Sequence, residues 1–257
     1  MKGILRMLIL LCALISYFSL MFSVNATGQV NILTHSGWLD GLGYYHVVGE
    51  VQNVGSSTVD FVQVTATFYN SSNTVIAVDY TYTTLSVILP GRKSPFEIIL
   101  TDTTQSAKVY TYSLGVTYSA TSSIPMELEM LSNSSYVDGI GDLHVVGNIK
   151  NVGSENSTFT QVIATFYNST GTVVATAYTY SNPDTITPSQ TAPFEIILDY
   201  TNRVPLVASY ALTAESAEYA FVPEFPTPFI PLSLLAGSLL IALTYGKTRH
   251  PNAISND

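Results

Sequence analysis

The apolar positions of this chain follow two rhythms. Through the middle they alternate. Along Phe61–Asn70, the residues Val62, Val64, Ala66 and Phe68 alternate with Phe61, Gln63, Thr65, Thr67 and Tyr69, a period of two that predicts a strand with one apolar face. Val47, Gly49 and Val51 do the same one strand earlier. β-branched and aromatic residues dominate the stretch, and no uninterrupted helical stripe competes with them. Turn signals divide it into short pieces: Asp40-Gly41, Asn53-Val54-Gly55, Asn70–Asn73, Pro90-Gly91, and then Asp138-Gly139, Asn151-Val152-Gly153, Thr170-Gly171 and Asn182-Pro183. At both ends of the chain the apolar positions run on without alternation.

The alternating part repeats itself. His46–Asn70 and His144–Asn168 are offset by 98 residues and identical at 16 of 25 positions. The same offset carries Asp40-Gly41-Leu42-Gly43 onto Asp138-Gly139-Ile140-Gly141, and Pro95–Leu100 onto Pro193–Leu198. A period near one hundred suits a duplicated domain rather than a solenoid. The expected fold class is therefore all-β, with two tandem antiparallel β-sandwiches of about six or seven strands each. Their expected limits are 28–120 and 127–221, joined by a linker at 121–126. Gly49 and Gly147 fall mid-strand, where a missing side chain admits a neighbouring aromatic or backbone. Gly55 and Gly153 are expected to supply a positive φ in a turn, and Asn53 and Asn151 to bond their own backbone there. Pro95-Phe96 and Pro193-Phe194 read as an edge-strand start followed by a core plug.

The ends read as membrane segments. Residues 1–26 carry Lys2 and Arg6, then an apolar run, then Val24-Asn25-Ala26, the order of a secretory signal peptide, with an uncleaved anchor as the alternative. Residues 222–228 form a proline-rich stalk, 229–246 a transmembrane helix, and 247–257 a cytoplasmic stub. Lys247 and Arg249 stand just past that helix, as the positive-inside rule requires of a stop-transfer segment. Between Thr27 and Val222 only five basic residues face sixteen acidic ones, so no phosphate-neutralising patch exists and nucleic acid is excluded as a partner. The one cysteine, Cys12, lies in the first apolar run. The mature part then has neither disulfide nor thiol chemistry, which favours a prokaryotic source.

Two resemblances add to this. The run V-G-x-hydrophobic-x-N-x-G, then Q-V-x-A-T-F-Y-N, then P-F-E-I, present in both copies, resembles the FxLYD domain family. That resemblance implies small immunoglobulin-like sandwiches on prokaryotic envelopes, a family mostly without known activity. Phe68-Tyr69-Asn70 and Phe166-Tyr167-Asn168 stand where Leu-Tyr-Asp is usual, and Ala66 and Ala164 replace the leading Phe. Pro223-Glu224-Phe225-Pro226 before the last apolar segment resembles the PEF-type sorting tails of archaeal surface proteins. This implies an exported archaeal protein whose tail is either kept as an anchor or cut.

The search for chemistry ends with few residues. Asp40, or Asp138 with Asp142, can be read as the start of a calcium loop, but carboxylates are too few for that and a hairpin turn is the preferred reading. His46 and His144 recur without ligand-spaced partners, and Glu97 and Glu195 without a second recurring carboxylate to form an acid–base pair. No G-x-S-x-G, His-Glu-x-x-His or P-loop motif occurs. The expectation is no enzyme, no metal and no cofactor. Asn70, Asn133, Asn156 and Asn168 head glycosylation sequons. The expected function is a surface or envelope protein at the cell membrane, single-pass with most of the chain outside. It would act as a structural or adhesion module toward envelope proteins or glycans, the alternative being a ligand-binding accessory subunit of an envelope complex or transporter. An aromatic crevice between the domains would favour ligand binding, and Tyr80–Tyr82 with Tyr178–Tyr180 are the rings to inspect.

Overall fold

Strand follows strand at the spacing of the repeat. The computed structural model describes residues 29–222. The expected signal segment, stalk from Pro223, membrane helix and stub lie outside the described residues. The first repeat contains β1 (Val30–Leu39), β2 (Tyr45–Asn53), β3 (Val59–Tyr69), β4 (Val75–Tyr82), β5 (Val87–Ile88), β6 (Lys93–Leu100) and β7 (Thr111–Ala120), with a one-turn helix α1 (Thr103–Ser106) before β7. The second contains β8 (Met126–Val137), β9 (Leu143–Asn151), β10 (Gln161–Tyr167), β11 (Val173–Tyr180), β12 (Thr191–Leu198), β13 (Ser209–Glu215) and β14 (Ala220–Phe221). β9, β11 and β12 begin and end 98 residues after β2, β4 and β6. The chain is all-β, as expected, and among the described residues no helix is long and apolar enough to cross a membrane.

In the first repeat β1-β2-β6 form one sheet, and β3 pairs with β4, β5 and β7 in another. Every one of these ladders is antiparallel. The inward faces of both sheets meet in a single core that includes Val47, Val51, Val64, Phe68, Phe96 and Ile98. β3 buries Val62, Val64, Ala66 and Phe68 and turns the intervening residues outward, as the alternation predicts. The second repeat builds its own core from Val145, Ile149, Phe166, Phe194 and Ile196. Its strands join in one continuous ladder, because the short β14 pairs with β13 and, in parallel, with β8. Both repeats belong to the same compact unit.

The repeated small residues have the roles that packing demands. A Cβ on Gly49 would lie 2.5 Å from the Phe96 ring, and one on Gly147 2.6 Å from the Phe194 ring and 2.2 Å from the Ser132 carbonyl oxygen. The two phenylalanines that follow the edge-strand prolines are the plugs that need those glycines. Asn53 and Asn151 are fully buried. Asn53 accepts from the Gly55 amide at 3.0 Å and donates to the Ser57 and Ile88 carbonyls, and Asn151 repeats the pattern. Gly55 and Gly153 differ from expectation: they are not among the residues with positive φ, which are Gly43, Gly91, Gly141 and Gly171 and four non-glycines. At Gly153 the constraint is room, since a Cβ would meet the Tyr219 ring at 2.5 Å.

Candidate functional site

The repeated histidine stands between two carboxylates. In the β1–β2 turn, Asp40 Oδ1 accepts the amides of Leu42 and Tyr44, and Gly43 takes φ +86°. Oδ2 of the same carboxylate lies 3.2 Å from His46 Nε2, while His46 Nδ1 lies 2.9 Å from Glu97 Oε1 on the neighbouring strand. The second repeat has the same arrangement: Asp138 accepts the Ile140, Gly141 and Asp142 amides, and His144 lies 3.3 Å from Asp138 and 2.8 Å from Glu195. The recurring second carboxylate that the sequence search did not find beside Glu97 and Glu195 is thus Asp40 and Asp138. They were missed because six and 51 residues of chain separate the partners of each histidine.

Electrostatics follow from this geometry. Burial disfavours the His46 cation, but the hydrogen bonds to Glu97 and Asp40 outweigh it and raise the imidazole pKa. For His144 the bond to Glu195 is the largest influence and the direction is again upward. Asp40 and Asp138 are held below the usual carboxylate range; burial opposes this at Asp40, and the turn amides and the histidine overcome it. Both nitrogens of each ring are already engaged, so the clusters lock the first turn of each repeat onto its edge strand. Among the described residues no group of three His, Cys, Asp or Glu side chains could hold a metal ion. The Asp-Gly segments are hairpin turns.

A second arrangement links the two repeats. Trp38 stacks on His46 with ring centroids 4.8 Å apart and planes 10° apart. The Arg203 guanidinium of the second repeat lies 4.3 Å from the Trp38 ring, and Tyr200 meets both rings edge-on. Ser36 donates to the Val173 carbonyl at 2.7 Å, Thr34 to that of Gly171, and Tyr167 to the Glu50 carboxylate at 2.6 Å. Lys93 holds the other oxygen of Glu50. Further along the seam, Glu215 accepts the Ser86 amide at 2.8 Å, and Arg92 donates to Thr213 at 2.6 Å and to the Phe221 carbonyl. Burial pushes Glu215 up and Arg92 down. β10 shows the consequence: Ile163, on its outward face, is fully buried and joins the core of the first repeat.

The seam does not close completely. A cleft of about 470 Å³ remains between the repeats, with Tyr82, Tyr178 and Tyr200 among its walls and Glu97, Gln161 and Asp199 among its polar groups. Burial and the nearby carboxylates push the Tyr200 hydroxyl up to about 12. Tyr82 and Tyr178 are exposed. Each packs edge-on against its companion, Tyr80 or Tyr180, at 6.3 and 6.4 Å. The aromatic crevice posed as a question by the two Tyr-Thr-Tyr segments therefore exists.

The four sequon asparagines do not cluster. Asn70 and Asn168 cap the β3–β4 and β10–β11 turns with their Oδ1 atoms. Asn133 is exposed on β8 and accepts from the Tyr210 hydroxyl at 2.8 Å, and Asn156 is exposed in a loop. An Oδ1 used as acceptor leaves the amide nitrogen, the atom a glycan would occupy, on the other side of the group.

No protein-family model matches the chain, and no curated protein does. Solved structures that match include the exo-chitosanase CsxA of Amycolatopsis orientalis (TM-score 0.26, 13% identity) and the exo-β-D-glucosaminidase CsxA with a glucosamine-configured castanospermine (0.27, 13%). A variant of that exo-chitosanase with PNP-β-D-glucosamine also matches (0.27, 12%). Each match covers 74% of this chain and 26% of the enzyme chain. This corrects the expectation that the chain is not an enzyme: the structures it matches are glycosidases, and that expectation is withdrawn. At this score and identity the likeness assigns the chain neither an activity nor a substrate.

Proposed function

We propose that this protein is a surface protein held at the cell membrane by a single C-terminal span, with its two tandem immunoglobulin-like, FxLYD-like sandwiches outside. In this reading they form an adhesion module whose contact face is the cleft between the repeats. The observation that carries it is the lining of that cleft, which brings the exposed Tyr82 and Tyr178 together with Tyr200, the carboxylates of Glu97 and Asp199 and the amide of Gln161. Aromatic rings beside several hydrogen-bonding side chains suit a sugar ring or a peptide side chain, each of which offers an apolar face and polar edges. The acidic composition and the exposure of Asn133 and Asn156, with Asn70 and Asn168 half-buried in turns, support an external location and glycosylation at one or more of Asn70, Asn133, Asn156 and Asn168. A second reading, a ligand-binding accessory subunit of an envelope complex or transporter, is favoured by the same cleft. The two part on affinity: an adhesion contact is weak and multivalent, an accessory subunit binds one ligand tightly.

Titration of the full-length protein with a panel of soluble oligosaccharides, followed by tyrosine fluorescence, tests the proposal. Saturable binding is expected, weakened about tenfold, which is about 1.4 kcal/mol, by Tyr82→Ala or Tyr178→Ala. Tyr110→Ala, an exposed tyrosine outside the cleft, leaves it unchanged. Binding equally sensitive to Tyr110→Ala, or no binding at all, refutes the cleft as the contact face.

A further inference from the structure

The seam inside the chain has free counterparts on the outer faces of both repeats. β2 and β9 share the sequence His-Val-Val-Gly, yet β2 is buried along nearly its whole length while β9 is buried only at intervals. The difference comes from the β10–β11 hairpin, which covers the outer face of β1-β2 with Tyr167, Gly171 and Val173. The hairpin of the first repeat covers nothing comparable: Val75, the counterpart of Val173, is 52% exposed where Val173 is 0% exposed.

Offset by 98, the parts of the seam recur on faces that the described residues of the chain leave largely uncovered. Ser36 and Val48 become Ser134 and Val146, Thr34 becomes Ser132, Glu50 becomes Asn148, and Tyr167 becomes Tyr69. Hydroxyls stay hydroxyls, valines stay valines, and Asn148 keeps an acceptor oxygen for a tyrosine O–H. Over this face of the second repeat lies an open groove of about 620 Å³, bordered by Ser132, Ser134, Val146, Asn148 and Glu195.

We propose that the occupant of this groove is a second copy of the chain, docking its β3–β4 hairpin on the outer face of β8-β9-β12 and so repeating, between molecules, the seam that joins the repeats within one. Val75 then packs on Val146, Ser134 donates to the Val75 carbonyl, and Tyr69 donates to Asn148. The copy is looser than its template. Tyr200 and Arg203 are replaced at the offset by Asp102 and Gln105, and Arg92 and Glu215 by Gln190 and Thr117, so the cation–π contact and the buried charged groups drop out. The contact is therefore reversible. Because it joins two different surfaces, it propagates head to tail instead of closing on a two-fold axis.

Crosslinking of the full-length protein in detergent tests this, with Cys12→Ser as background, a host that does not glycosylate sequons, and a short bis-maleimide as probe. Val75→Cys and Val146→Cys combined in one chain should give a ladder of dimers, trimers and longer species. The two single variants mixed should give one heterodimer and nothing longer, and neither alone should crosslink. Circular dichroism on each variant confirms that the substitutions, at an exposed and a half-buried position, leave the fold intact. No crosslink in the mixture, or a Val75→Cys homodimer in place of the heterodimer, overturns the proposal. Protection of Val146→Cys from the reagent by a soluble oligosaccharide, without crosslinked species in its absence, also overturns it and assigns the groove to a glycan.

Discussion

At Gly147 a single methyl group separates a folded second repeat from a strained one. A Cβ there would lie 2.2 Å from a backbone carbonyl oxygen, which has no rotamer by which to move away. Gly147→Ala is expected to cost about 1–3 kcal/mol in urea unfolding, the range of overpacked cores. Gly115→Ala, with nothing within 4 Å of its Cβ position, should be neutral or stabilising by about 0.4–1 kcal/mol. Charge acts at the same scale. His46 and His144 have pKa values raised above 6.5 by their carboxylates, so their stabilisation is complete below about 6.5 and is lost as pH rises through the folded-state values. Asp40 and Asp138 are lowered from 3.8, so theirs is complete above that value and is lost as pH falls through the folded-state values. Melting temperature should therefore be highest between about pH 4 and 6.5, and His46→Asn with His144→Asn should flatten the alkaline fall. A profile still rising above pH 8 in the unsubstituted protein would contradict this assignment.

At the scale of the element, identical strands are buried to different depths according to their neighbours. Tyr167 donates to a Glu50 carboxylate that the seam buries, whereas Tyr69, its counterpart, meets only Ser113 at 3.3 Å on the surface. Tyr167→Phe is expected to cost about 1–3 kcal/mol, the penalty for a buried acceptor deprived of its donor, and Tyr69→Phe close to nothing. Equal costs would mean that the repeats do not dock through this strand in solution. The contrast also marks how far periodicity reaches. Alternation along Phe61–Asn70 and the turn residues around Asp40 and Asn53 reveal the strands, their inward faces and the turns, because each depends on neighbours close in the chain. The burial of Val48 and Glu50 comes from residues more than 100 positions away and that of Ile163 from the core of the other repeat, and no local pattern encodes it. The histidine clusters lie between: all three members of each were visible as repeated residues, and only the fold shows that they meet. Gly55 and Gly153 were misread for the opposite reason, since a turn motif suggests a backbone need where, at Gly153, the constraint is space beside Tyr219.

The whole molecule combines a duplicated all-β unit, a tyrosine-lined cleft where its halves meet, and few positive charges among residues 29–222. Each is what a module facing outward from a cell needs: a rigid frame, a contact face, and low affinity for nucleic acid. An outward-facing unit must also be open to reagents that never cross the membrane. Phe159 and Tyr110 are 68% and 75% exposed and lie outside the strands, so a protease that cuts after aromatic residues has exposed loop sites. The most direct measurement is therefore brief treatment of intact cells with such a protease, followed by mass spectrometry of the released peptides. Peptides from 29–222 released while cytoplasmic marker proteins stay intact are the predicted result. Peptides from this stretch only after the cells are lysed would place the chain inside and contradict the account.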